Sequence, residues 1–202
     1  YAPNFPPSEL IPGRTNQDYW LHLLVHNPNP LQERLAFLFH DHFAISQRNF
    51  DGGVLWWMHD QVRLLRRFAA RVADGGLEYD WRKLLVEQCK DKAMLLWLDG
   101  VISTNRAPNE NFAREFWELF TLGEGIGYTQ QDIVEASRAF TGFRVVNAGG
   151  ANYQTVQYVP SRHDAGTKTI FGETGRFGYD SVSPYHASGT NVEVDAADTE
   201  GM

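Results

Sequence analysis

The run Asn109-Glu110-Asn111-Phe112-Ala113-Arg114-Glu115-Phe116-Trp117-Glu118-Leu119-Phe120-Thr121-Leu122-Gly123 concentrates carboxylates and a guanidinium on one predicted helix. At about 100° per residue, Phe112, Phe116, Leu119 and Phe120 form an apolar stripe. Glu110, Arg114 and Glu118 lie four apart on the opposite side and read as an exposed ladder of ion pairs, each worth roughly a few tenths of a kcal/mol. Glu115 differs, because it falls at the flank of the stripe near Leu122 and loses part of its hydration there. Such a carboxylate can serve as a metal ligand, as a general base with a raised pKa, or as the structural anchor of a hydrogen bond to a neighbouring helix. The spacing leaves all three roles open.

Histidines supply the other reactive candidates. His22 and His26 stand four apart, as two zinc ligands on one helix face would, but the glutamate of a His-Glu-x-x-His site is missing. His40 and His42 flank Asp41 and point roughly 200° apart on a helix, so one ion reaches both only if the helix ends there. His42 falls on an apolar stripe, which suits a core histidine as well as a metal ligand. His163-Asp164 precedes Gly166-Thr167-Lys168-Thr169, which lacks the spacing of a phosphate-binding loop and reads as a turn. No Gly-x-Ser-x-Gly elbow occurs, and Cys89 has no histidine close in sequence, so it reads as an ordinary thiol. The glycine turn at 123–127 lacks the alternating oxygen ligands of an EF-hand. Thr129-Gln130-Gln131-Asp132 reads as a capping box.

The elements that would position these groups are mainly helical. Residues 1–14 are proline-rich and are predicted to form an extended arm. A helix opens at Thr15–Asp18, carries Trp20, Leu21, Leu24 and Val25 on one face, and stops at Asn27-Pro28-Asn29-Pro30. A second helix is predicted from Leu31 to Ser46, with Leu31, Leu35, Leu38, Phe39 and His42 as its buried stripe. Helices follow at 54–72, 79–88, 92–98, 109–122 and 129–140, broken by glycine pairs and turns. The helical domain is thus read as 15–142. From Gly142 the texture becomes β-branched and aromatic, predicting hairpin strands at 143–146, 153–159 and 167–171, then a long loop over 172–202. The expected fold is a mainly α bundle of six to seven helices with a small C-terminal hairpin layer over 143–202, in a single domain.

Bulk properties narrow the function. The chain has 202 residues, enough for one sizeable core or two small ones. A net charge of -7 and a pI near 5.4 argue against sequence-independent nucleic-acid binding. The cluster Arg63, Arg66, Arg67 and Arg71 reads as the wet face of a helix. One cysteine rules out an internal disulfide framework. No apolar run reaches the roughly 18–20 residues of a membrane span. Both termini read as cut, so the chain is taken as part of something longer.

Several strings together resemble the bacterial family called domain of unknown function 1800. They are Glu33-Arg34-Leu35-Ala36-Phe37-Leu38-Phe39-His40-Asp41-His42-Phe43, Ala93-Met94-Leu95-Leu96-Trp97-Leu98-Asp99, the Asn109–Gly123 run, Gly127-Tyr128-Thr129-Gln130-Gln131-Asp132 with Ala136-Ser137-Arg138-Ala139-Phe140-Thr141-Gly142, and His163-Asp164-Ala165-Gly166-Thr167-Lys168-Thr169-Ile170-Phe171-Gly172. They span roughly residues 31 to 175 in the family's order. The resemblance implies an exported, periplasmic or extracellular bacterial protein, with no activity attached. It departs from the family at Phe120, where many members have His, and at Asp41, where Asn is usual. It also singles out Asn109, Glu110, Arg114, Asp132 and Lys168 as binding candidates beside His42, Glu115, His163 and Asp164.

Two readings follow. One is a binding or assembly component of the envelope or an extracellular complex, with protein partners and an exposed aromatic patch from Trp56, Trp57, Trp81 or Trp117. The alternative is a metal-assisted hydrolase acting on a carbohydrate or ester. There Glu115, His163 and Asp164 would do the acid–base work, and His42 and Glu115 would hold a divalent metal. The hydrolase requires Glu115, His42 and His163 to share one water-accessible pocket.

Overall fold

The computed structural model describes residues 16–46, 55–73, 81–147 and 154–177. The predicted arm at 1–14 and most of the predicted loop, 178–202, lie outside the described residues. Among those described, seven α-helices precede two small antiparallel sheets: α1 (Asn16–His26), α2 (Pro30–His42), α3 (Leu55–Ala73), α4 (Trp81–Lys90), α5 (Lys92–Trp97), α6 (Glu110–Glu118) and α7 (Gln130–Ala139). Strands β1 (Phe143–Asn147) and β2 (Gln154–Tyr158) pair with each other, as do β3 (Lys168–Ile170) and β4 (Glu173–Gly175). The fold is mainly α with a small C-terminal β layer. No described helix is long and apolar enough to cross a membrane. The chain divides into two compact units, Tyr1–Leu84 and Leu85–Met202.

In the first unit, the turn between α1 and α2 explains how α2 sits. Asn29 caps α2 by accepting from the Gln32 amide at 3.2 Å, and Pro30 occupies the first helical position, where no amide is needed. Asn27 accepts from the Asn29 amide at 2.8 Å and donates through its side chain to Glu33. Glu33 has no exposed surface, and its two oxygens accept from Arg66 of α3: Nε at 2.9 and 3.0 Å, Nη2 at 2.7 Å. Gln32 adds a bond to the Arg66 carbonyl at 3.0 Å. The inward face of α2 is therefore Gln32, Glu33 and Ala36.

This overturns the predicted orientation. Leu31, Phe37 and Leu38 are exposed on α2, as are Leu21 and Val25 on α1. A helix buries one stripe, and the face that pairs Glu33 with Arg66 is not the most apolar one. Arg66 is accordingly buried rather than wet, whereas Arg63 and Arg67 are exposed. Helix α2 also ends at His42, short of the predicted Ser46, where the Phe43 amide closes on the Phe39 carbonyl at 2.9 Å. Phe43 is fully buried and stacks on Trp81 at 5.4 Å, with Phe39 edge-on to Phe68 at 5.1 Å.

In the second unit, Asp91 caps α5 through the Met94 amide at 2.9 Å. Asn109 caps α6 through the Asn111 amide at 2.9 Å and donates to the Leu98 carbonyl at 2.7 Å. The apolar faces of α6 and α7 meet through Phe112, Ala113, Trp117, Ile133 and Ala136, with Phe140 edge-on to Phe112 at 5.0 Å. The predicted stripe on α6 is corrected at one position, because Leu119 is exposed and Trp117 takes the buried place. The helix loosens beyond Glu118: the Leu119 and Phe120 amides share the Glu115 carbonyl, and those of Leu122 and Gly123 share the Trp117 carbonyl. That wider turn sends Phe120 inward and Leu119 outward. Gly123, at φ +100°, then reverses the chain in a conformation a side chain would strain. The 172–202 loop prediction missed β4, which pairs with β3 through Phe171 and Gly172, both in left-handed conformation.

Replacing Glu33 by Gln leaves the Arg66 guanidinium buried without a counter-charge. Urea unfolding is expected to show a loss of about 3–5 kcal/mol. The double variant Glu33→Leu with Arg66→Met is expected to recover most of it, because both desolvated charges are then removed together.

Candidate functional site

Half of the polar residues singled out in the second unit, Asp132, His163, Asp164 and Lys168, meet where α7 packs on the segment 160–171. Asp132, Glu135 and Arg138 recur every third residue and so share one face of α7. Arg138 grips Asp164 with two nitrogens, Nε to Oδ2 at 2.7 Å and Nη2 to Oδ1 at 3.2 Å. Its Nη1 donates to Glu135 at 2.7 Å and to the Thr167 carbonyl at 3.2 Å. Asp164 Oδ1 also accepts from the Gly166 amide at 2.9 Å, forming a local Asx turn. The Asp164 amide donates to the Thr141 hydroxyl at 2.8 Å, and that hydroxyl donates to the Arg138 carbonyl at 2.7 Å. Lys168, 1 % exposed, directs its ammonium to the Asp164 carbonyl and, at 2.9 Å, to the Gly166 carbonyl.

His163 and Asp132 close the two ends of this network. His163 Nδ1 lies 2.9 Å from the Thr141 carbonyl. A carbonyl only accepts, so the bond assigns the proton to Nδ1. Gly142, at φ +107°, makes that approach possible, since a Cβ there would lie 2.8 Å from the Tyr158 ring and 3.1 Å from His163 Cβ. Asp132 completes the predicted capping box with Thr129, and its second oxygen accepts from the Phe171 amide at 2.6 Å. One carboxylate therefore caps α7 and fastens the β3–β4 turn.

The electrostatics follow from these partners. The Arg138 hydrogen bond holds the Asp164 carboxyl below the usual carboxylate range, against the opposing effect of burial. The Thr129 hydroxyl does the same for Asp132. Burial lowers the Lys168 ammonium, and Asp164 raises the Arg138 guanidinium. Each charge is answered within the network, which fits a clamp between helix and hairpin. An acid–base centre would instead push two groups towards neutral pH.

Glu115 stands apart from this clamp, with no hydrogen bond among the described residues to His163 or Asp164. Burial raises its pKa, the neighbouring Glu118 raises it further, and Arg114 opposes both. The predicted ladder beside it is present: Arg114 lies 3.7 Å from Glu110 and 3.4 Å from Glu118. It is extended by Gln130, which accepts from Arg114 at 3.0 Å and donates to Glu110 at 2.8 Å, tying α6 to α7. His42 belongs to the first unit, where it is exposed and its ring lies against Phe43 and Trp81 at 4.8 and 5.0 Å. Among the described residues, no three His, Cys, Asp or Glu side chains are gathered as a metal ion would need. His42 lies in the first unit and Glu115 in the second, and each is described within its own unit.

Other candidates resolve similarly. Cys89 borders a gap lined by Leu95, Gly100, Ser103, Phe112, Phe140 and Phe143 that has no room for water, and burial pushes its thiol up to about 12. A thiol raised that far carries little thiolate at neutral pH. Phe120 is 4 % exposed, so the position that departs from the resembled pattern is a core position here. Of the proposed aromatic patch, Trp57 and Trp117 are buried and Trp81 is exposed. The side chain of Trp56 lies outside the described residues. Exposed apolar side chains gather elsewhere, at the loosened end of α6 and the hairpin tip: Leu119, Leu122, Ile126 and Phe171. Trp117 underlies them, touching Phe171 at 5.0 Å and Tyr128 at 5.8 Å. Glu118, Glu124 and Glu173 come from the same segments of the chain.

Arg138, Glu135 and Thr141 are central to the clamp yet were not among the residues singled out. Their one visible signal was the three-residue recurrence of charged side chains on α7.

The family model described as Protein of unknown function (DUF1800) matches residues 11–189. No curated protein matches the chain, and no solved structure does.

Two outcomes test this site. Arg138→Met is expected to cost about 2–4 kcal/mol in urea unfolding near pH 7, since it strands Asp164 and Glu135. A depressed carboxyl contributes stability that is present above its unfolded value near about 4 and is lost as pH falls through the folded value. The gap between wild type and Arg138→Met should therefore shrink as unfolding is repeated at pH values falling below about 4. Glu115 has the opposite sign: its raised carboxyl favours folding below about 4.3 and loses that contribution as pH rises. Glu115→Gln is thus expected to raise stability at neutral pH by roughly 0.5 kcal/mol or less, a gain that vanishes in acid.

Proposed function

Because the chain belongs to the DUF1800 family of unknown function, we propose its role from its own surfaces: a binding or assembly component. The observation that carries this reading is the division of labour in the second unit. Arg138 bonds the Asp164 carboxylate, Asp132 and Lys168 bond the backbone, and Leu119, Leu122, Ile126 and Phe171 stand exposed in the same unit. Exposed apolar side chains on segments that also carry Glu118, Glu124 and Glu173 suit a protein partner with an apolar, basic segment. The overall charge of -7 favours such a partner over nucleic acid. An exported location, in the envelope or outside the cell, is part of the same proposal and rests on family resemblance.

A hydrolase acting on a carbohydrate or ester is the second reading. It is favoured by Glu115, whose raised pKa and partial burial suit a general acid or base.

The two separate by variant. Ile126→Asp and Leu119→Asp are expected to leave the circular-dichroism spectrum and melting temperature close to wild type. They should abolish site-specific photo-crosslinking from position 122 to a neighbouring protein in the envelope fraction of the source bacterium. Crosslinking unchanged in both variants, together with ester or glycoside hydrolysis lost in Glu115→Gln, would favour the enzyme.

A further inference from the structure

The exposed face of α2 carries a pattern that the clamp and the second-unit patch leave unexplained. Arg34, Phe37, Leu38 and Asp41 follow the i, i+3, i+4, i+7 spacing of one helical stripe. All four are exposed, Phe37 by 54 % and Leu38 by 58 %. With Leu24 of α1 they line an open groove of about 510 Å³. Leu21 and Val25, one helical turn around Leu24, are exposed as well. Among the described residues, neither Arg34 nor Asp41 makes an ion pair.

The order of charges on this stripe is self-complementary. Arg34 and Asp41 are equally far in sequence from the midpoint between Phe37 and Leu38. When a second α2 is laid antiparallel across that midpoint, Arg34 meets Asp41 of the other copy twice, and Phe37 meets Leu38 twice. A parallel arrangement sets Arg34 on Arg34 and Asp41 on Asp41, which repel. Antiparallel pairing about a two-fold axis is also how most homodimers close, each copy offering the same patch. The orientation of α2 that the Glu33–Arg66 pair imposes is what places this stripe outside.

We propose that the chain self-associates through an antiparallel α2–α2 contact, with Phe37 and Leu38 at its centre, Arg34 and Asp41 pairing across it, and α1 flanking it. This contact lies in the first unit and is independent of the partner surface proposed for the second. Failure of one leaves the other standing.

A charge-swap cycle on the full chain, read by sedimentation equilibrium, tests it. Wild type is expected to dimerise. Arg34→Glu or Asp41→Arg alone puts like charges together at both ends of the contact and should raise the dimer Kd by about tenfold or more. The double swap Arg34→Glu with Asp41→Arg restores opposite charges in inverted order and should bring the Kd back towards wild type. Glu near the N-terminus and Arg near the C-terminus of α2 both suit the helix dipole, so helicity should hold, and circular dichroism checks it. Phe37→Ser should abolish the dimer without touching the charges. A wild type that stays monomeric overturns the proposal. So does a double swap as weak as either single, because the two charges would not then face each other.

Discussion

A carboxylate withdrawn from water must be paired, and in this protein that requirement outranks the burial of greasy side chains. Glu33 is the clearest case. Its two oxygens take three hydrogen bonds from Arg66 and one from Asn27. Leaving such a charge buried and unpaired costs more than exposing a leucine does. The helix therefore turns its polar edge inward and leaves Phe37 and Leu38 in water. The same rule operates in the second unit on a smaller scale. There Asp164 is held by Arg138, and the surrounding loop is folded around that pair.

This ordering of costs changes how the family-motif residues are read. In a sequence, a histidine-aspartate pair ahead of glycine, threonine and lysine invites a catalytic interpretation. In the folded chain the histidine bonds a backbone carbonyl, the aspartate holds a guanidinium, and the lysine is spent on two carbonyls. These are the bonds needed to seat an irregular segment of few strands against a helix, where regular ladders cannot satisfy the backbone. Glu115 alone keeps a perturbed carboxyl outside the clamp, which is why it carries the alternative enzymatic reading.

Much of the fold was legible in the sequence, and the failures share one cause. The helices from α1 to α7 and the β1–β2 hairpin followed from period, caps and glycines, all of which are local. Thr129 and Asp132 formed the predicted capping box, and Glu110, Arg114 and Glu118 the predicted ladder. What the periodicity misjudged was which face turns inward on α2, because that depends on Arg66, far along the chain. Leu119 failed for a related reason, since the loosening of α6 beyond Glu118 precedes a glycine whose positive φ is visible only in three dimensions. For the candidate site, Asp132, His163, Asp164 and Lys168 were identified and do converge. Arg138, the partner of Asp164, was not, because a lone arginine on a helix looks like solvent-facing charge.

The central claim is that Asp132, Arg138, Asp164 and Lys168 hold helix α7 and the β3–β4 hairpin in one frame. Carboxyl-carbon NMR titration of Asp132, Asp164 and Glu115 in the intact protein tests it most directly. Asp132 and Asp164 should titrate below the ordinary carboxylate range and Glu115 above it, each following its own single transition. An Asp164 that titrates above the ordinary range, or one coupled to His163 in a shared two-step curve, would contradict the account and identify a proton-transfer centre instead.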